Sequence, residues 1–258
     1  MKLRYGAVVS ALASLRGGAV GIPPTHPGEA YRGALRADLY VPPDATGASV
    51  VLVHGGGFVI GSRRMKPMRF LAERLAAAGL AVCAIDYRLI FRGGRLAEAT
   101  DDVRAALAWW TARTVALGLD PHAITVVGLS AGGALALLAA AGSDVAAVVA
   151  CFGLYEIDHL RGPAALLPRL LFATRDRAAW RARSPRFAPQ PAVPTLLLHG
   201  DDDGLVPVDQ ARRLAAHREA LGLPTRLVIY PETPHGFFNL PGAAADAAVG
   251  EIIAHAVG

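Results

Sequence analysis

Ile124-Thr125-Val126-Val127-Gly128-Leu129-Ser130-Ala131-Gly132-Gly133 carries the most specific pattern in the chain. A short apolar, β-branched run ends in Gly-x-Ser-x-Gly, and an Ala-rich run to Ala141 follows. Strand, sharp turn and helix in that order form the context of a nucleophile elbow. Such a turn forces the serine into strained backbone geometry, and small neighbours on both sides prevent collisions. The serine oxygen then stands exposed at the end of a sheet, and the next helix aims its first amides at developing negative charge. A dinucleotide-binding turn also joins strand to helix, but it needs Gly at the position Ser130 occupies. No Walker-type Gly-Lys-Ser/Thr occurs anywhere in the chain.

On either side of the elbow, short apolar runs alternate with helical patterns. Residues 34–41 alternate apolar and polar, as a half-exposed strand should. Strands are predicted at 50–53, 80–86, 124–128, 145–152, 196–199 and 226–230, and helices at 65–78, 98–117, 131–141, 208–221 and 243–256. That rhythm predicts an α/β protein with a mostly parallel central sheet covered by helices on both faces.

With 258 residues, 53% of them hydrophobic and 18% charged, the chain reads as one domain with a large core, not as a disordered protein. Its two cysteines, Cys83 and Cys151, sit in apolar runs and are too few for a disulfide framework or a four-ligand zinc site. The +5 charge comes from 26 basic residues scattered along the chain, without the clustering that nucleic-acid binding requires. The densest basic stretch, Arg175 to Arg186, reads as a solvated helix. The uncharged window between Asp120 and Asp144 is long enough for a membrane span, but it divides into strand, glycine turn and helix. Residues 1–18 mimic a secretory signal. The stripe Leu3, Ala7, Val8, Ala11, Leu12 and Leu15, with Arg16 interrupting the apolar run, reads instead as an amphipathic helix leading into a Gly/Pro-rich connector that ends at Pro27. A cytoplasmic protein without stable membrane insertion is expected.

One segment breaks the alternation. Residues 155–191 carry five prolines around a weak helical pattern and are too long for an ordinary crossover. They follow a strand's C-terminal end, the side where open α/β sheets place ligands, and read as a lid insertion.

Three more loops carry chemistry. His54-Gly55-Gly56-Gly57-Phe58 follows the strand Val50–Val53, and its glycines free backbone N–H groups for an oxyanion. His54 reads as a brace for that loop. His199-Gly200-Asp201-Asp202-Asp203 follows another strand and offers three candidate acids. His235, between Pro234 and Gly236, lies beyond the last strand.

HGGGF, DPHAITVVGLSAGG, HGDDDGLVP and PHGF, in this order, resemble the α/β-hydrolase superfamily. They are most similar to carboxylesterases related to hormone-sensitive lipase and the small bacterial esterases. The resemblance spans about Val50 to the C-terminus. It implies Ser130 as nucleophile, His235 as base and, by the pattern H-G-x-x-D-x-x-V-P, Asp203 as acid. It also implies an oxyanion hole from the amides of Gly56, Gly57 and Ala131. Asp86-Tyr87-Arg88-Leu89 resembles the family's D-Y-R-L segment. The chain departs from the hormone-sensitive-lipase branch at Leu129, where Asp is usual, and at Ile90-Phe91, where Ala-Pro is usual.

The expected function is hydrolysis of small, short-acyl carboxylic esters without metal or organic cofactor. Phe58, Leu129 and Phe237 are the expected pocket walls. An amidase such as an aryl-formamidase would carry the same triad. A non-catalytic binder on this scaffold would typically lack one of its members.

Overall fold

The computed structural model of the chain describes residues 21–160, 166–240 and 242–258. The expected N-terminal helix lies outside the described residues. Eight strands form one sheet: β1 (His26–Arg32), β2 (Leu35–Tyr40), β3 (Ser49–Val53), β4 (Ala81–Ile85), β5 (Ile124–Leu129), β6 (Ala147–Cys151), β7 (Thr195–Gly200) and β8 (Thr225–Tyr230). Their spatial order is β1-β2-β4-β3-β5-β6-β7-β8. β1 and β2 pair antiparallel, β2 joins β4 antiparallel, and every pairing from β4 to β8 is parallel.

Side chains of the inner strands alternate between two cores, as a sheet covered on both faces requires. Val51, Val53, Val126, Val148 and Leu197 face one core, with α2 (Leu96–Ala116), α3 (Ala131–Ala140) and α6 (Asp209–Ala220). Val50, Leu52, Val127, Val149 and Leu198 face the other, with α1 (Lys66–Ala77) and α7 (Ala243–Val257). Trp110 of α2 is wholly buried and donates its indole N–H to Ser49 Oγ at 3.0 Å, which satisfies its polar edge inside the core. Cys83 and Cys151 are buried free thiols, and burial pushes both pKa values up.

Two expectations at the antiparallel edge need correction. The connector expected to end at Pro27 gives way to β1 at His26, with a register shift between His26 and Glu29. Proline is tolerated there because an edge strand does not need every N–H. β2 is not half-exposed: Ala37 to Tyr40 are all buried. Asp38 is tolerated inside because Arg63 pairs with it at 2.8 Å.

Residues 155–160 and 166–191 contain two short helices, α4 (Leu167–Phe172) and α5 (Arg177–Arg183). Leu171, Phe172 and Trp180 anchor them in the core shared with α2 and α3. Leu166 and Leu170 remain exposed, as do most of the arginines of α5. Among the described residues, no helix is long and apolar enough to cross a membrane. The loops after β3, β5, β6, β7 and β8 all leave the same edge of the sheet, because these strands run parallel. The candidate site lies at that edge.

Candidate active site

The elbow explains its own glycines. Ser130 adopts φ 53° and ψ −116°, a strained conformation for a residue with a side chain. A Cβ at Gly128 would lie 2.1 Å from the carbonyl oxygen of Gly132. One at Gly132 would lie 2.3 Å from that of Val53. Glycine at both positions lets β5 turn at once into α3 while α3 sits close to the end of β3. Ser130 N–H donates to the Cys151 carbonyl at 2.9 Å and ties the turn to β6.

The chain of side-chain contacts starts at that serine. Ser130 Oγ lies 3.0 Å from His235 Nε2, and His235 Nδ1 lies 2.6 Å from Asp203 Oδ2. A carboxylate only accepts, so Nδ1 carries the proton and Nε2 is left to accept from the serine hydroxyl. The Phe152 ring stands edge-on to His235, centroids 5.0 Å apart, and meets Phe237 in the same way.

Asp203 is the aspartate that meets the histidine; Asp201 and Asp202 are exposed. Asp201 instead accepts the Glu232 N–H at 2.6 Å. Asp203 Oδ1 accepts the N–H groups of Leu205 and Val206, at 2.9 and 2.7 Å. Its Oδ2 also lies 3.1 Å from Nε2 of the wholly buried His199. Burial by itself would raise the Asp203 carboxyl. Hydrogen bonds from His199 and His235, the charge of His235 and the Val206 amide outweigh it and hold the carboxyl well below the usual carboxylate range.

The glycine loop lies against the elbow. A Cβ at Gly55 would lie 3.0 Å from the Leu129 carbonyl oxygen. Gly56, at φ 110°, accepts from Val59 and Ile60 through its carbonyl, and Gly57 follows at φ 62°. The amides of Gly56 and Gly57 form no hydrogen bond among the described residues. Ala131, the first residue of α3, belongs to the turn whose N–H groups have no partner within the helix. His54 is wholly buried, donates from Nδ1 to the Gly55 carbonyl at 2.7 Å and stacks on Tyr87 at 4.1 Å. Burial pushes its pKa down to about 4, against the Gly55 hydrogen bond and the charge of Asp86, so it stays neutral and braces the loop. Further along, Arg63 ion-pairs with both Asp38 and Asp86, joining the loop to β2 and to the segment after β4.

Phe58, Leu129 and Phe237 are 1%, 2% and 4% exposed. They therefore stand in the cores behind the site, with little surface of their own toward it. Two neighbours of the site carried no separate expectation, His199 and Phe152. The His-x-x-x-Asp spacing was the available signal for the first. Nothing in the sequence marks the second, Phe152, the residue just past the apolar strand β6.

Comparison with known proteins identifies the family. The family model BD-FAE matches residues 37–217. Esterase LipC of Mycobacterium tuberculosis is 34% identical over 221 residues, covering 75% of this chain and 54% of its own length. Ethyl acetate hydrolase of Pseudomonas putida is 30% identical over 247 residues, 85% of this chain and 76% of its own. The chain thus spans about half the length of LipC and about three quarters of the second relative. The butyrate-bound structure of esterase 2 from Thermogutta terrifontis superposes with a TM-score of 0.73 at 25% identity, covering 91% of this chain and 94% of that one. A family match over residues 37–217, an esterase relative aligned along most of both chains and the shared sheet topology carry one conclusion: the chain belongs to the BD-FAE family of the α/β-hydrolase superfamily.

Proposed function

We propose that the chain is a serine carboxylesterase with Ser130 as nucleophile, His235 as general base and acid, and Asp203 as the carboxylate that orients the histidine. The observation that carries this reading is the unbroken chain from Ser130 Oγ through His235 to Asp203, at 3.0 and 2.6 Å. His235 Nε2 takes the serine proton as Oγ attacks the ester carbonyl. Asp203, ionised throughout, stabilises the imidazolium that forms. The amides of Gly56, Gly57 and Ala131 receive the oxyanion; one such donor is typically worth about 2.7–4 kcal/mol. His235 then protonates the leaving alcohol, and water repeats the sequence on the acyl-enzyme.

Short acyl groups are the proposed substrates. The relative named ethyl acetate hydrolase and the butyrate held by the Thermogutta esterase support this choice. Phe58, Leu129 and Phe237 are proposed to limit the acyl space by the shape they hold behind it. The helices within 155–191 are proposed as its cover. Each buried acyl methylene adds about 0.8 kcal/mol while the pocket encloses it. Hydrolysis of p-nitrophenyl esters from acetate to palmitate, beside a matched anilide, tests the proposal. The expected result is a kcat/KM maximum within the first few carbons and slow anilide cleavage. A maximum at long chains, or faster anilide cleavage, would overturn the substrate assignment.

A further inference from the structure

We propose that His199 is a positioning residue for the triad, holding the Asp203 carboxylate in the orientation from which it serves His235. The inference rests on the triad reading above and extends it to a second histidine.

His199 is wholly buried near the end of β7. Its Nε2 lies 2.9 Å from the Val206 carbonyl oxygen and 3.1 Å from Asp203 Oδ2. Both neighbours only accept, so Nε2 carries the proton; it donates to the Val206 carbonyl and lies within ion-pair range of the Asp203 carboxylate. Among the described residues Nδ1 is buried without a partner, a cost that an apolar side chain at this position would avoid. The donation at Nε2 is the interaction that accounts for an imidazole here.

The mounting of that donor matters. Among the described residues, the Asp203 carboxylate meets the Leu205 and Val206 amides, His235 and His199. The first two belong to the loop that carries Asp203, and His235 sits in the loop after β8. His199 is the donor anchored in the sheet, where β7 is registered between β6 and β8. It therefore refers the carboxylate to the same frame that holds the elbow. Removing it has two consequences. The carboxylate gains freedom to turn away from His235, and its charge, shared among fewer donors, holds the imidazolium more tightly. Asp203 faces His199 from β7 and His235 from the loop after β8. Asp201 and Asp202 of its own loop are exposed, and the largest contributions to its ionisation come from these two histidines and the Val206 amide, against burial.

The test measures kcat, KM and the pH profile on p-nitrophenyl acetate for His199→Phe and His199→Gln, alone and in an Asp203→Asn background. Active sites are counted by fluorophosphonate titration. Phenylalanine fills the space without a donor, and glutamine places a donor near the former Nε2. His199→Phe should lower kcat about tenfold, with KM within about twofold and the acid limb about half a pH unit higher. His199→Gln should recover most of the loss. In the Asp203→Asn background, His199→Phe should cost less than about twofold, because its partner is already altered. Should His199→Phe not fold, His199→Asn, too short to reach Asp203, takes its place with the same expectations. An unchanged profile and kcat, equal loss in both backgrounds, or an effect on KM alone would overturn the proposal. Failure of the triad reading looks different: Asp203→Asn would then leave activity near that of the unaltered protein.

Discussion

The loop after β7 surrounds a charge that is always present, whereas the loop after β3 leaves its amides open. At residues 203–206 two backbone N–H groups of the loop, His199 from β7 and His235 from the loop after β8 converge on one carboxylate, which stays ionised despite its burial. In residues 54–58 three consecutive glycines allow a path in which the Gly56 and Gly57 amides meet no acceptor among the described residues. On the proposed reading, the second loop waits for a negative charge that exists only while the ester carbonyl is tetrahedral. Donors satisfied in the resting state help to hold a ground-state structure. Donors left unsatisfied can act differentially on the transition state, which is where rate enhancement comes from.

The comparison can be broken most severely at the serine that both loops serve. Ser130→Ala should retain the fold and lose about 10⁶-fold in kcat, as in other triads; circular dichroism and ester hydrolysis measure the two together. Next comes the permanent charge. Asp203→Asn should cost about 10⁴-fold, because an amide favours the wrong His235 tautomer. Asp201→Asn and Asp202→Asn should remain within about tenfold, since a carboxylate that does not touch the triad lacks this leverage. A larger loss at either neighbour would place the working carboxylate elsewhere in the loop.

The open amides come third. A Cβ at Gly56 would sit 1.9 Å from the Ile60 carbonyl oxygen, so Gly56→Ala must shift the loop. It should lower kcat by about 10²–10³-fold, the range seen when an oxyanion donor is lost. Gly57 has open space around a new Cβ, leaving only the left-handed backbone to resist. Gly57→Ala should therefore be milder, near tenfold, from about 1–2 kcal/mol of strain. Equal losses at the two positions would show that the loop's path does not set the position of these amides.

The smallest effect concerns pH. Asp203, whose folded carboxyl is held well below its ordinary value, stays ionised as the solution is acidified through the histidine range. Activity should therefore fall with a single-proton slope, because only a neutral imidazole accepts the serine proton. A two-proton slope would mean that Asp203 titrates alongside it.

Much of this was legible in the sequence because glycines mark backbone paths that no other residue can follow. Gly128 and Gly132 flank Ser130 at contacts that exclude a side chain, and the stretch 124–133 betrays strand, turn and helix without any structure. The family's spacing, and not the chemistry of three adjacent aspartates, singled out Asp203. β1 escaped notice because an edge strand starting with His26-Pro27 shows little alternation and tolerates a residue that usually ends strands. The burial of β2 was hidden because Asp38 depends on Arg63, a partner distant in sequence. His199 was visible as a residue but not as a donor, since four-residue spacing in a strand-to-loop transition does not say where an imidazole points.

On the proposed reading, Ser130 is the reactive nucleophile, activated through His235. Fluorophosphonate labelling followed by peptide mapping tests it most directly. One labelled site, Ser130, is expected, with labelling slowed severely in His235→Ala and abolished in Ser130→Ala. Label on another serine, or undiminished labelling without His235, would contradict it.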